Sequence, residues 1–286
     1  MNEKELEIKF FYKFVYDGGK LMKQLNLTKK PLIIAVVGKG GVGKTIITTL
    51  MAKNISQNYS IKLLLIDADP THPHLSNMVK LVPTKNLETI RIELVNNTLD
   101  KEKSIQELAE NIDFEVYNAI VEGKDFSLIS IGQPKDPGCF CPSNALLRKV
   151  IESISKDFDI ILIDCEAGLE QINRMVIKSV DIILIVSDLS IRSVETANTL
   201  RKSAKKFTNY KKLGVILNRV RGNIDLIFNK LEEFNLPLLA SIPEDLNILN
   251  FDMQGRAIID LPDNSKSIES INNLTDKILS SNFLKL

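Results

Sequence analysis

Hydrophobic positions in this chain fall mainly in short, largely continuous runs. Such runs occupy residues 32–37, 61–66, 126–131, 159–164, 181–186, 213–217 and 238–242. Rich in Ile, Val and Leu and bounded by polar turns, they predict strands buried on both faces, as in a parallel sheet. Between them, composition and helical spacing predict helices over 45–53, 146–155, 191–207 and 265–280, the last with Ile268, Ile271, Leu274 and Ile278 on one side. Strand-then-helix alternation from Leu32 onward predicts an α/β fold, a mostly parallel central sheet with helices on both faces, in one domain of residues 31–286.

The ends of this pattern are less regular. Leu6, Phe10 and Phe14, with Phe11 beside them, fall at helical spacing, which predicts an amphipathic helix over 5–16 stopped by Gly18-Gly19. Residues 1–30 then form a helical extension ahead of the main domain. Between 77 and 124 the pattern weakens, with a short strand expected over 90–94 and helices over 104–111 and 115–121.

The first run leads into Gly38-Lys39-Gly40-Gly41-Val42-Gly43-Lys44-Thr45, a complete G-x-x-x-x-G-K-[ST] loop between a predicted strand and a predicted helix. Glycines let backbone N–H groups turn inward around a phosphate, and the helix beginning near Thr45 and Ile46 points its positive end at the same anion. Lys44 is placed to reach the β- and γ-phosphates, and the Thr45 hydroxyl to sit on Mg²⁺. The loop is a nucleotide-phosphate cradle.

Two carboxylate-bearing strand ends belong beside it. Residues 61–66 run into Asp67-Ala68-Asp69-Pro70, and Ile160-Ile161-Leu162-Ile163 into Asp164. Carboxyl ends of parallel strands face the ligand crevice, so Asp67, Asp69 and Asp164 are candidates for metal and water, with Asp164 in a Walker-B-like position holding Mg²⁺. The run ending at Leu217 delivers Asn218, whose amide offers both donor and acceptor to a base edge. Pro243-Glu244-Asp245 follows the last strand, where it would close the base pocket.

With Lys39 after the first glycine, the loop reads K-G-G-x-G-K-[ST]. It resembles the deviant phosphate loop of the partition, site-placement and nitrogenase iron protein group of dimeric ATPases. The resemblance implies that Lys39 reaches across a dimer interface to the partner's nucleotide and stabilises charge there, as an arginine finger does. It also implies that Asp69 orients the attacking water, that Asp67 lies nearer the metal and that Asn218 contacts adenine.

Overall charge adds little, since 37 lysines and arginines meet 36 acidic residues. That balance gives no general attraction to nucleic acid or membrane. No stretch is long and apolar enough to span a bilayer, and the N-terminus opens with charges, so a cytoplasmic protein without stable membrane association is expected. Three cysteines in such a chain suggest metal or catalytic chemistry over a disulfide framework, and Cys139 and Cys141 stand two positions apart. Thiols on a loop entering a helix are favoured as thiolates. One C-x-C pair supplies two ligands; a symmetric dimer would supply four sulfurs, a closed soft-metal site. Both histidines, His72 and His74, form an H-x-H pair stiffened by Pro73, which suits an exposed turn better than a ligand pair.

The string Gly138-Cys139-Phe140-Cys141-Pro142-Ser143-Asn144, followed later by Asp164-Cys165-Glu166-Ala167-Gly168-Leu169-Glu170-Gln171 and Arg174, resembles the carbon monoxide dehydrogenase nickel-insertion accessory ATPases. Gln171 stands where a histidine is common in that family, and the first thirty residues have no counterpart. The resemblance implies an ATPase with ATP and Mg²⁺, dimerising around Ni²⁺ or Zn²⁺ held by Cys139 and Cys141. Its client would be carbon monoxide dehydrogenase or a related nickel enzyme such as acetyl-CoA synthase. Two alternatives compete: an iron–sulfur reductase resembling nitrogenase iron protein, whose second cysteine position is occupied here by Gln171, and a positioning ATPase.

Overall fold

A computed structural model describes residues 13–17, 19–25, 27, 31–69, 74–90, 92–93, 114–133, 154, 157–166, 179–280 and 283. The apolar runs become β3 (Leu32–Gly38), β4 (Leu63–Ala68), β6 (Ser127–Ser130), β7 (Ile160–Cys165), β8 (Ser179–Ser187), β9 (Asn209–Val220) and β10 (Leu238–Pro243), with a short β5 (Val121–Glu122) at one edge. Among the described residues they form one sheet in the order β10-β9-β8-β3-β7-β4-β6-β5. Every neighbouring pair is parallel except β5 with β6.

Both faces are covered, which is why the strands lack alternation. Ile34 and Val36 of β3 pack with α1 (Lys44–Asn58) and α6 (Lys266–Leu279), while Ile33, Ala35 and Val37 face the side closed by α3 (Ile191–Phe207). Ile268, Ile271, Leu274 and Ile278 are buried as the pattern requires. Each such side chain contributes about 1.5–3 kcal/mol by leaving water. Three further helices, α2 (Leu75–Val79), α4 (Asp225–Glu233) and α5 (Leu246–Met253), lie where none is expected above.

Four sequence expectations need correction or fall outside the described residues. The helix expected over 5–16 does not extend through its end, because β1 (Lys13–Asp17) pairs antiparallel with β2 (Lys20–Gln24). The two-residue Gly18-Gly19 link between β-prone runs is a hairpin signal, and Gly19 takes φ +83°. Residues 87–90 and 92–93 are helical instead of a strand, with Asn86 Oδ1 accepting from the Thr89 N–H at 2.9 Å. An asparagine cap outweighed the local β propensity. A helix does cover 114–119, while the expected helix over 104–111 and most of that over 146–155 lie outside the described residues.

β3 sits at the centre with β8 on one side and β7 on the other. The chain leaves its carboxyl end into the glycine loop and α1, so the loop opens where adjacent strands continue in opposite directions through the sheet order. The remaining candidate residues arrive on the ends of β4, β7, β9 and β10.

Candidate nucleotide site

The glycine loop is shaped from two sides. A Cβ on Gly38 would run into the Val186 carbonyl oxygen of β8. Gly43, at φ +94°, is the residue before α1, and a Cβ there would lie 2.5 Å from Asn218 Nδ2. Asn218 is buried and donates from Nδ2 to the Val42 carbonyl at 2.8 Å. A residue distant in sequence thus pins the loop backbone.

α1 starts without a side-chain cap and without an acidic residue in its first turn. Its first N–H groups and dipole are left for an anion. Lys44 is buried and folds back to donate to the Lys39 carbonyl at 3.4 Å, while Lys39 is exposed on the outer side of the loop. A cavity of about 490 Å³ opens above, lined by Gly40, Gly41, Lys44 and Thr45 from the loop, Asp69 and His74 after β4, Glu166 after β7 and Arg219 after β9. Gly43, Ile46 and Met78 complete its wall.

Asp67 and Asp164 stand in register on β4 and β7, both buried, each two residues before a side chain, Asp69 or Glu166, that lines the cavity. Asp67 accepts from the N–H groups of Asp69 at 3.3 Å and Leu75 at 3.2 Å. Burial, then the charge of Asp164, pushes its carboxyl up to about 8. Burial likewise raises Asp164 to about 6, opposed by the hydroxyls of Thr45 and Thr48 and the charge of Lys44. Thr48 Oγ1 donates to Asp164 at 3.3 Å. Adjacent buried carboxylates that repel one another are a fitting oxygen set for a hard divalent cation. Mg²⁺ bound with a nucleotide would spread the phosphate charge. Cys165, next to Asp164, is buried on the other side of β7, and its thiol is pushed up by burial and by Asp164.

The structure therefore brings Gly40, Gly41, Gly43, Lys44, Thr45, Ile46 and Asp69 to one cavity, with Asp67 and Asp164 in register on β4 and β7 outside its lining. Pro243 ends β10 away from that cavity's lining, opposite Val220 of β9. Cys139, Cys141 and His72 lie outside the described residues. Sequence reasoning missed Arg219 and gave Glu166 no role, although both line the cavity. The carboxylate two positions beyond Asp164 was a usable signal for Glu166, since strand alternation returns it to the same side. Among the described residues no group of three or more His, Cys, Asp or Glu side chains is gathered closely enough to hold a metal ion, and no helix is long and apolar enough to cross a membrane.

Residues 31–215 match the family model described as AAA domain (AAA_31), which spans the loop, both carboxylate strands and β8. The chain belongs to this family of P-loop ATPases. Within reach of the family, the chain is 31% identical over 266 residues to an uncharacterized ATP-binding protein of Methanocaldococcus jannaschii, covering 88% of this chain and all of that protein. It is 30% identical over 241 residues to the carbon monoxide dehydrogenase accessory protein CooC of Rhodospirillum rubrum, covering 80% of this chain and 89% of that one. Its fold is similar to the cell division ATPase MinD of Pyrococcus furiosus, with a TM-score of 0.64 at 24% identity over 86% of this chain and 98% of the other. A MinD from Pyrococcus horikoshii complexed with Mg-ADP gives the same TM-score at 23% identity, over 87% of this chain and 96% of the other. The family's α/β architecture is the one observed, and ATP with Mg²⁺ is the ligand pair that the loop and paired carboxylates fit.

Proposed function

We propose that this ATPase is a metallochaperone that uses ATP binding and hydrolysis to hold and release a metal ion for a nickel enzyme. The likeness to CooC carries the proposal, because it coincides with a Cys139-Phe140-Cys141 pair that a simple positioning ATPase does not need. Topology supports it as well. β6 ends at Ser130 on the edge of the sheet that also carries the glycine loop, and the segment bearing the cysteines follows from there.

In the proposed cycle, ATP phosphates occupy the loop with Lys44 swung from the Lys39 carbonyl onto the β- and γ-oxygens. Thr45, Asp67 and Asp164 hold Mg²⁺. Asn218 and Pro243 border the adenine, and Lys39 reaches the nucleotide of a second copy. Asp69 orients a water whose oxygen bonds to the γ-phosphorus as the bond to the β–γ bridging oxygen breaks; the bridging oxygen leaves with ADP and the water proton passes through Asp69 to phosphate. Cys139 and Cys141 from two chains form the four-sulfur site for Ni²⁺ or Zn²⁺, the cargo. Ligands from two chains bind strongly only while held together, so nucleotide state sets metal affinity. The client is carbon monoxide dehydrogenase or a related nickel enzyme such as acetyl-CoA synthase.

The test is metal content and oligomeric mass measured together on reduced protein, with and without a non-hydrolysable ATP analogue and Ni²⁺. About one metal per dimer, lost in Cys139→Ser/Cys141→Ser, is expected. A nucleotide-dependent dimer without metal would move the assignment to a positioning ATPase, for which the MinD of Bacillus subtilis, 24% identical over 86% of this chain, is the relevant relative.

A further inference from the structure

At the end of β9 the strand geometry is broken at one place. Alternation along a strand sends consecutive side chains to opposite faces. Asn218 points to the glycine loop, where it holds the Val42 carbonyl, so Arg219 belongs on the far face. Instead Arg219 lines the same cavity as Gly40, Lys44 and Thr45.

Two features produce this. Arg219 has φ +56°, a left-handed conformation that a side chain with a Cβ adopts at a cost. The pairing of β10 with β9 also slips there: Ser241 opposes Leu217 and Pro243 opposes Val220, leaving an extra residue on β9. Such bulges re-aim a side chain, often beside an active site. No hydrogen bond or ion pair of the Arg219 guanidinium occurs among the described residues, whereas nearby Arg221 is tied to Glu244. The strain is not repaid by a partner within the described fold.

We infer that Arg219 is a phosphate ligand for the bound nucleotide, a guanidinium supplied from the same chain to the phosphate groups over the glycine loop. This rests on the nucleotide-binding reading of that loop. A planar fork of N–H donors matches phosphate oxygens better than an ammonium does. The contact is to phosphate and not to base or ribose, because the cavity it lines is floored by the loop and the start of α1. Arg219 is thus a binding residue in addition to Lys44, placed by a bulge that also lets its neighbour Asn218 serve the loop.

The test measures ATP and adenosine affinities, with thermal melting of the nucleotide-free chain, for wild type, Arg219→Gln and Arg219→Gly. ATP binding is expected to weaken about tenfold or more in both variants, the loss of a charge-assisted hydrogen bond, with adenosine affinity unchanged. Glycine accepts the left-handed conformation, so Arg219→Gly is expected to melt at or above wild type while still binding ATP poorly. A merely structural role would move stability and affinity together. Unchanged ATP affinity in both variants, or equal losses for ATP and adenosine, would overturn the inference alone. Failure of the wild-type chain to bind ATP would overturn the nucleotide reading with it.

Discussion

Asp67 and Asp164 stand directly opposite each other on neighbouring parallel strands, both buried, each two residues before a side chain that lines the cavity at the glycine loop. Two ionised carboxylates in that position repel, and burial disfavours both. Such a pair persists where a cation completes it. Asp164→Asn is expected to lower Mg²⁺-dependent ATP hydrolysis by about 100-fold or more, while the nucleotide-free chain melts a few degrees higher because the repulsion is gone. Steady-state ATPase assays at several Mg²⁺ concentrations, with melting curves in EDTA, check both halves. Full activity in the variant would remove Asp164 from the metal site.

The loop's shape depends on a residue far away in the chain. Gly43 at φ +94° leaves room for Asn218 Nδ2, which would lie 2.5 Å from an added Cβ. Gly43→Ala therefore meets both a disfavoured dihedral and a side-chain collision. A cost of about 1–3 kcal/mol from the backbone alone is expected, with loss of ATP binding. Adding Asn218→Ala removes the collision but not the dihedral, so the double variant should regain only part of the stability. Chemical denaturation of the four proteins in this cycle decides it. Full recovery in the double variant would show that the backbone conformation costs nothing.

Much of this architecture was legible because the central strands are buried on both faces. Ile160 to Ile163 and Ile182 to Val186 are apolar without interruption, and only a two-sided core requires that. The loop, Asp67 and Asp164 were legible because each is a fixed residue type at a strand end. The β1–β2 hairpin was not, since Phe10 and Phe14 mimic a helical face and obscure the Gly18-Gly19 turn. Nor was the cap at Asn86, whose helix runs through β-prone Thr89 and Ile90. The pairing of Asn218 with Val42 spans the whole core, and the left-handed Arg219 depends on how β10 pairs with β9. Local pattern carries no record of either.

Lys39 and Lys44 separate cleanly by their surroundings. Lys44 is buried in the loop, whereas Lys39 is exposed and contributes its carbonyl to the loop's internal contact. Lys44→Ala is expected to abolish ATP binding. Lys39→Ala should bind ATP within a few-fold of wild type yet hydrolyse it about 1000-fold more slowly, the magnitude of a lost trans-acting cation. Equilibrium titration with a fluorescent ATP analogue and single-turnover hydrolysis distinguish them. Equal hydrolysis by Lys39→Ala and wild type would confine Lys39 to a solvent-facing position.

Cys165 provides a control for every experiment on the other two thiols. It is buried, and burial followed by the neighbouring Asp164 charge keeps it protonated well above the ordinary thiol range. Thiolate is the reactive form, so Cys165 should be inert in the folded chain. In Cys139→Ser/Cys141→Ser, a thiol reagent at pH 8 is expected to label no residue under native conditions and one per chain after unfolding. Rapid native labelling would mean that β7 opens locally and that Cys165 competes for metal.

Asp245 ties the last helices to the sheet through one carboxylate. It caps α5 by accepting from the Asn247 N–H at 3.0 Å, and its Oδ2 accepts from Ser265 Oγ at 2.6 Å and from the Ser267 N–H and Oγ at 2.9 and 2.8 Å. Burial by itself would raise its pKa, but these donors together outweigh it and hold the carboxyl below the usual range. Asp245→Ala leaves buried donors without an acceptor, a loss on the order of 3 kcal/mol. Because the folded value is depressed, this contribution is complete above the unfolded value of about 4 and vanishes as pH falls through the folded value. Wild type and Asp245→Ala should therefore differ most near neutrality and draw together as pH falls through the folded value. Urea unfolding at pH 7, 5, 4 and 3 measures the gap; one that stays constant with pH would show that the carboxylate's charge plays no part in holding α5 and α6.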